Sequence, residues 1–158
     1  MPYASARTPA RWILSGGLFI GTLDLLFAIG FWALRDVAPI RIAQSIAAGV
    51  LGDASYGGGA ASAWLGVALH YLIATSFVLV YWLVARRADV LQRRPWLCGA
   101  LYGVLLYLAM NLVVLPLSAA GPPSFADAAW VAASLAMHVV VGLLCAWFVR
   151  RASGSPIA

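Results

Sequence analysis

The sequence predicts an all-α, polytopic membrane protein: a bundle of four transmembrane helices with a short interfacial helix between the first and the second. Three observations predict it. The chain is 64% hydrophobic and 9% charged, with a mean hydropathy of +0.94, whereas soluble domains carry about 25% charged residues. Its ten basic residues are all arginine, and they bracket apolar stretches of the roughly 20 residues that a helix needs to cross the hydrocarbon core. The tryptophans Trp12, Trp32, Trp64, Trp82, Trp96, Trp130 and Trp147 all fall near the ends of those stretches. An indole prefers that level, where its ring is apolar and its N–H stays wet. One membrane domain over residues 1–158 satisfies all three.

The first span is read at 12–34, preceded by Arg7 and Arg11, followed by Arg35 and Arg41, and interrupted only by Asp24. It is too long for the apolar core of a signal peptide and lacks a clear cleavage site, so it is expected to stay as an anchor. The second, 60–85, is entered through Gly57-Gly58-Gly59. The third, 95–117, opens on Pro95, whose missing N–H is harmless in a first helical turn, and carries Pro116 near its far end. The fourth, 128–149, follows the turn Gly121-Pro122-Pro123 and ends at Arg150 and Arg151. The remaining apolar segment, 38–52, has the length of an interfacial or re-entrant piece. Ile42, Ile46 and Gly49/Val50 share one helical face there, with Arg41, Gln44 and Ser45 mostly off it, which predicts a short amphipathic helix on the outer surface.

Arginine counts orient the bundle. One side holds Arg7, Arg11, Arg86, Arg87, Arg93, Arg94, Arg150 and Arg151, and the other only Arg35 and Arg41. Positive charge collects on the cytoplasmic side, so both termini and the loop 86–94 are expected there. The net charge of +5 and pI near 9.8 suit anionic headgroups. Nothing forms the basic groove or patch that nucleic acid would need, so the bilayer is the expected partner, with a second copy or another membrane protein as further candidates.

Each span carries one polar residue that costs free energy in lipid: Asp24, His70, Asn111 and His138. Such groups face a bundle interior and raise a functional hypothesis. Their helical neighbours are small: Gly17, Gly21 and Ala28 around Asp24; Ala63, Gly66 and Ala74 around His70; Gly99 and Gly103, with Tyr107, before Asn111; Ser134 and Gly142 around His138. Small residues one turn apart let membrane helices approach closely. At 1.5 Å per residue from the nearest cytoplasmic arginine, the four lie about 20, 24, 25 and 18 Å up. They are expected to form one intramembrane polar cluster, with Asp24 and His70 as a pair able to exchange a proton. The structural alternative is that they only bridge helices by hydrogen bonds worth about 0.6–2 kcal/mol.

Other chemistries find little support. Two histidines on different helices allow bis-imidazole haem ligation, but their estimated depths differ by about 6 Å. A zinc site would want three or four ligands, and Asp24, His70 and His138 supply three only if packing converges them. No metal and no cofactor is therefore expected. Cys98 and Cys145 sit near the cytoplasmic ends of their spans, where thiols stay reduced, and read as packing residues. No nucleophile elbow, phosphate loop or dinucleotide fingerprint occurs, so no catalytic residues are assigned.

The third and fourth spans read Gly99-x3-Gly103, Met110-Asn111-Leu-Val-Val-Leu-Pro116-Leu117, Gly121-Pro122-Pro123, then His138 and Trp147-Phe-Val-Arg150-Arg151. This pattern resembles the C-terminal half of YagU-like bacterial inner-membrane proteins, with Ala136-Met137 before His138 where a glycine would be expected. The stretch from Ile46-Ala-Ala-Gly49 through Gly58-Gly59 to His70 is similar to a wider set of small four-helix bacterial membrane proteins. The resemblance covers roughly residues 42–151 and implies a bacterial inner-membrane location without an assigned biochemical role. The function classes left are a small transporter or proton-linked protein using Asp24 and His70, a non-catalytic membrane subunit or assembly module, and, third, a haem-binding redox subunit. Topology is directly testable. Reporter fusions after Arg151 and within the loop 86–94 are expected to report the cytoplasm, and a fusion near Ser55 the opposite side. An external C-terminus would overturn the orientation.

Overall fold

Four helices are long and apolar enough to cross a membrane: Pro9–Ala33, Gly59–Ala85, Pro95–Leu117 and Ala128–Ala152. The computed structural model describes residues 7–153, and the ends 1–6 and 154–158 of the expected domain lie outside the described residues. The elements in order are α1 (Arg7–Ala33), α2 (Pro39–Leu51), a 3-10 turn at Gly52–Gly57, α3 (Gly59–Ala85), α4 (Asp89–Arg93), α5 (Pro95–Ala109), a π-helical segment at Met110–Val114, α6 (Leu115–Leu117) and α7 (Ala128–Ala152). The four expected spans match within three residues at every end. Leu14, Leu72, Leu101, Leu105 and Leu112 are 58–63% exposed on the outside of the bundle. So much apolar surface is untenable in water and ordinary against lipid.

Glycines set how closely the helices approach. A Cβ on Gly103 would collide with the carbonyl of His138 and lie 2.6 Å from Val139 Cα, while one on Gly142 would run into the backbone of Gly103. Gly99 faces Gly142 in the same way. α5 and α7 therefore touch backbone to backbone, as small-residue motifs allow in lipid. On α1, Gly17 meets Thr75 of α3, Gly21 meets the Tyr71 ring, and Gly16 meets Phe148 of α7. The small-residue faces expected from sequence are the packed faces.

One end of the bundle is solid. α1 begins there and α7 ends there, with Trp12 edge-on to Trp147 at 6.4 Å. Ile13, Val78, Tyr81, Ala85, Cys145, Phe148 and Val149 form the core of this terminal half. Here α5 also reaches α3, through the Tyr102 hydroxyl donating to Phe77 O at 2.9 Å and the Tyr81–Tyr102 ring contact. The two cysteines are free thiols, Cys145 fully buried in this core.

α2 (Pro39–Leu51) forms where the short helix is expected, but its buried face differs. The amphipathic pattern put Gln44 off the buried face, yet Gln44 is 3% exposed, and Val50, expected on that face, is exposed. The cause is Gly66, whose missing Cβ lets Ala43 and Ala47 of α2 reach the α3 backbone. Gly66 lies two turns, about 10 Å, inside the start of α3, so α2 docks along the bundle. Gln44 then donates to Gly59 O at 3.1 Å and reaches Ser62 Oγ, which donates to Ser55 O at 2.6 Å. A buried amide is tolerated when paired in this way.

The third span is widened at Met110–Val114. Pro116 has no N–H to give, and its ring crowds the carbonyl one turn back. The helix answers with a π turn, in which the Leu115 N–H donates to Met110 O. Such turns often mark functional sites.

Gly103→Leu and Gly66→Leu are expected to lower thermal stability in detergent by about 1–3 kcal/mol, the usual cost of overpacking. Leu105→Ala, on the lipid-facing side, serves as the mild control. Equal melting of Gly103→Leu and the parent would refute the backbone contact.

Candidate functional site

In the half of the bundle away from the termini, the helices enclose a cavity of about 620 Å³. Asp24, His70, Asn111 and His138 all line it, one from each span. α2 supplies Ile42, Ser45, Ile46 and Gly49 to the wall, and the loop after α6 supplies residues from Pro123 to Asp127. The Ala119 N–H donates to Gly49 O at 3.0 Å, joining the end of α2 to the end of the third span across this wall. The cavity therefore lies beneath the far-end loops and stops at the packed terminal half.

Asp24 and His70 form the close pair. His70 Nε2 stands 3.9 Å from Asp24 Oδ2 and 2.8 Å from Gly21 O. A carbonyl only accepts, so Nε2 carries the proton that it donates to Gly21 O, and Nδ1 keeps the lone pair in the neutral ring. That tautomer follows from the bond geometry. Gly21 makes the contact reachable: without a Cβ it admits the Tyr71 ring and draws α3 against α1. The Tyr71 hydroxyl shares a 2.8 Å hydrogen bond with Thr22 Oγ1, which pins the same crossing. Asp24 is the partly exposed member, at 30% of its side chain against 13% for His70. Its carboxylate has the imidazole on one side and the cavity on the other.

Asn111 and His138 belong to the α5–α7 side and bond to their own helices. Asn111 Nδ2 donates to Tyr107 O at 2.8 Å, and His138 Nδ1 donates to Ser134 O at 2.8 Å. The Tyr107 ring meets the His138 ring edge-on at 5.5 Å. Each residue spends one polar atom locally, which leaves His138 Nε2 as an acceptor. The cluster is thus one close pair and two separate polar groups around a shared space, and among the described residues no hydrogen bond links the pair to the other two.

The far end carries contacts that sequence reading missed. Asp127 Oδ1 accepts from the Trp130 N–H at 3.0 Å and so caps α7, while Asp127 Oδ2 lies 3.3 Å from Arg35. The Arg35 guanidinium also covers the Phe31 ring at 4.1 Å. Trp130 stacks on Phe27 at 6.1 Å and meets Trp32 at 5.3 Å, and all three line the cavity. An aspartate directly before an apolar run is a helix-start signal, and it was available at Asp127. Nothing in the order of residues signals that Arg35 would be its partner.

Donor geometry bears on the ligand readings. Among the described residues, no three His, Cys or Asp side chains are grouped to hold a metal ion, so Asp24, His70 and His138 do not make the three-ligand zinc set. The Nε2 of His70, through which an axial imidazole would ordinarily bind haem iron, is already given to Gly21 O. No protein-family model, characterised protein or solved structure matches the chain.

Asp127→Ala is expected to cost about 1 kcal/mol through the lost cap, whereas Asp127→Asn keeps a capping acceptor and loses only a half-exposed ion pair worth about 0–1 kcal/mol. Melting curves in detergent should therefore rank parent, then Asn, then Ala. Equal loss in both variants would show that the ion pair, not the cap, matters.

Proposed function

We propose that this multi-pass membrane protein is a small proton-linked transporter of the bacterial inner membrane, with both termini cytoplasmic and Asp24 and His70 as its proton-exchanging pair. The observation that carries the reading is the convergence of one polar residue from every span on a single cavity sealed toward the termini. Polar groups that merely lock helices together would be expected to bond across the interfaces they hold. Asp24 instead borders open space. A carboxylate beside an imidazole in a low-dielectric bundle is a group whose charge answers to what enters that space. The eight-to-two arginine asymmetry supports the orientation. The YagU-like motifs of the third and fourth spans support the bacterial inner membrane.

A second reading has its own support. His70 bonds across the α1–α3 interface to Gly21 O, and Tyr71 to Thr22 beside it, as expected of polar groups that lock helices in a non-catalytic membrane module, self-associating or serving another membrane protein. Spectroscopy separates the two readings. A protonated aspartate has a carboxylic C=O stretch that the carboxylate lacks, and infrared difference spectra of reconstituted protein detect it. Across a pH series, the native protein is expected to gain and lose one such band, which Asp24→Asn abolishes. His70→Gln is expected to move its midpoint. A native spectrum without a titrating band, or a band that survives in Asp24→Asn, would favour the module.

A further inference from the structure

We infer that the cavity takes an organic cation with an apolar body, and that the cation and a proton compete for Asp24. The inference rests on the proton-linked reading above and adds the ligand class.

Charge selects the sign. Of the residues lining the cavity, Asp24 and Asp127 are acidic and none is arginine; the chain contains no lysine. Asp127 is already met by Arg35 at 3.3 Å and by the Trp130 N–H, and Arg35 itself lies over the Phe31 ring. Arg41, the other far-end arginine, donates to Tyr56 O and Gln44 Oε1. That leaves Asp24, whose near neighbour is the His70 ring at 3.9 Å, as the acidic group of the cavity that no arginine meets among the described residues. An anion would meet a carboxylate with no guanidinium to offset it.

The walls select the body. Phe27, Trp32, Trp130 and Tyr107 line the space, and aromatic faces attract a cation within about 6 Å of the ring centroid. Much of the other lining is aliphatic, including Ile42, Ile46 and Val131. A bare inorganic cation needs several oxygen ligands to replace its water, and among the described residues no three His, Cys or Asp side chains are grouped to hold one. A volume of about 620 Å³ suits a drug-sized molecule. Sign, lining and size agree on one class of ligand.

Competition with a proton follows from the position of the pair. The titratable and charged groups around Asp24 are His70 from α3, Tyr107 from α5, His138 from α7 and the paired Asp127 before it; α2 presents only Ser45, and Asn111 is neutral. When the pair holds an extra proton, on Asp24 or on His70 Nδ1, the carboxylate is already neutralised. An entering cation takes over that role, and the pair releases one proton to the water of the cavity. The one bond broken is the O–H of Asp24 or the N–H of His70 Nδ1, whose electron pair stays on the group as water takes the proton. The proton titrates with the pair as a unit.

Tetraphenylphosphonium and tetraphenylborate, alike in shape and opposite in charge, provide the test by calorimetry on the detergent-solubilised full chain. The phosphonium is expected to bind and the borate not to bind. Phosphonium affinity should fall as the pH drops, by up to tenfold per pH unit when one proton competes. At any pH where the affinity is changing tenfold per unit, heats in buffers of different ionisation enthalpy should count about one proton released. Asp24→Asn should abolish binding with its melting temperature retained; if it does not fold, the two probes and the pH series on the native protein decide alone. Equal binding of both probes, or binding of neither, overturns the organic-cation inference. If the Asp24 infrared band still titrates in that case, the proton-linked reading survives. Phosphonium binding without proton release overturns the competition. A missing infrared band would then place the fault in the underlying reading.

Discussion

The contact on which the rest depends is backbone against backbone, where Gly99 and Gly103 of α5 meet Gly142 of α7. In lipid there is little hydrophobic gain from bringing two helices together, so association rests on dispersion and close fit. A crossing without side chains between the axes brings many atoms into van der Waals range. It also fixes the carbonyl of His138 beside Gly103, and with it the level at which the His138 ring enters the cavity. A similar contact at Gly17 and Gly21 holds α1 to α3 and brings His70 to Asp24. The polar site is therefore set by the least polar residues of the chain.

Packing is distributed unevenly along the bundle. The terminal half closes α3 against α5 through Tyr81, Tyr102 and Phe77. In the other half α2 occupies one side of the bundle, docked on Gly66 and tied to the third span at Gly49. Backbone groups outside a helix need partners when water is scarce, and the Gly59 and Ser55 carbonyls at the junction of α2 and α3 find them in the side chains of Gln44 and Ser62. The far half thus keeps the backbone of its connecting segment partnered beside the cavity.

Much of this was legible before any coordinates. Span number and limits follow from run length and arginine placement, since the bilayer imposes one length on every crossing. The inward faces followed from small residues one turn apart, and Asp24, His70, Asn111 and His138 do line one cavity. What stayed hidden depends on tertiary geometry. The buried side of α2 was misread at Gln44 because a hydrophobic pattern assigns an amide to solvent, and only the carbonyl of Gly59 and the hydroxyl of Ser62 make its burial favourable. The partnership of Arg35 with Asp127 joins positions far apart in the chain. The separation of the polar residues into a close pair and two groups bonded within their own helices depends on rotamers, which residue order does not encode.

The π turn before Pro116 amounts to one surplus residue in an otherwise regular helix. Each residue of an α-helix advances about 100° around the axis, so everything after Val114 is rotated by that amount relative to an uninterrupted span. This rotation determines which side of the chain Leu115 and Ser118, both cavity-lining, present to the interior. Loss of a single codon between Met110 and Val114 would shorten the span by little more than an ångström. Its larger effect would be to exchange which residues meet lipid and which meet the cavity, so this short stretch tolerates replacement of its side chains more readily than any change in their number.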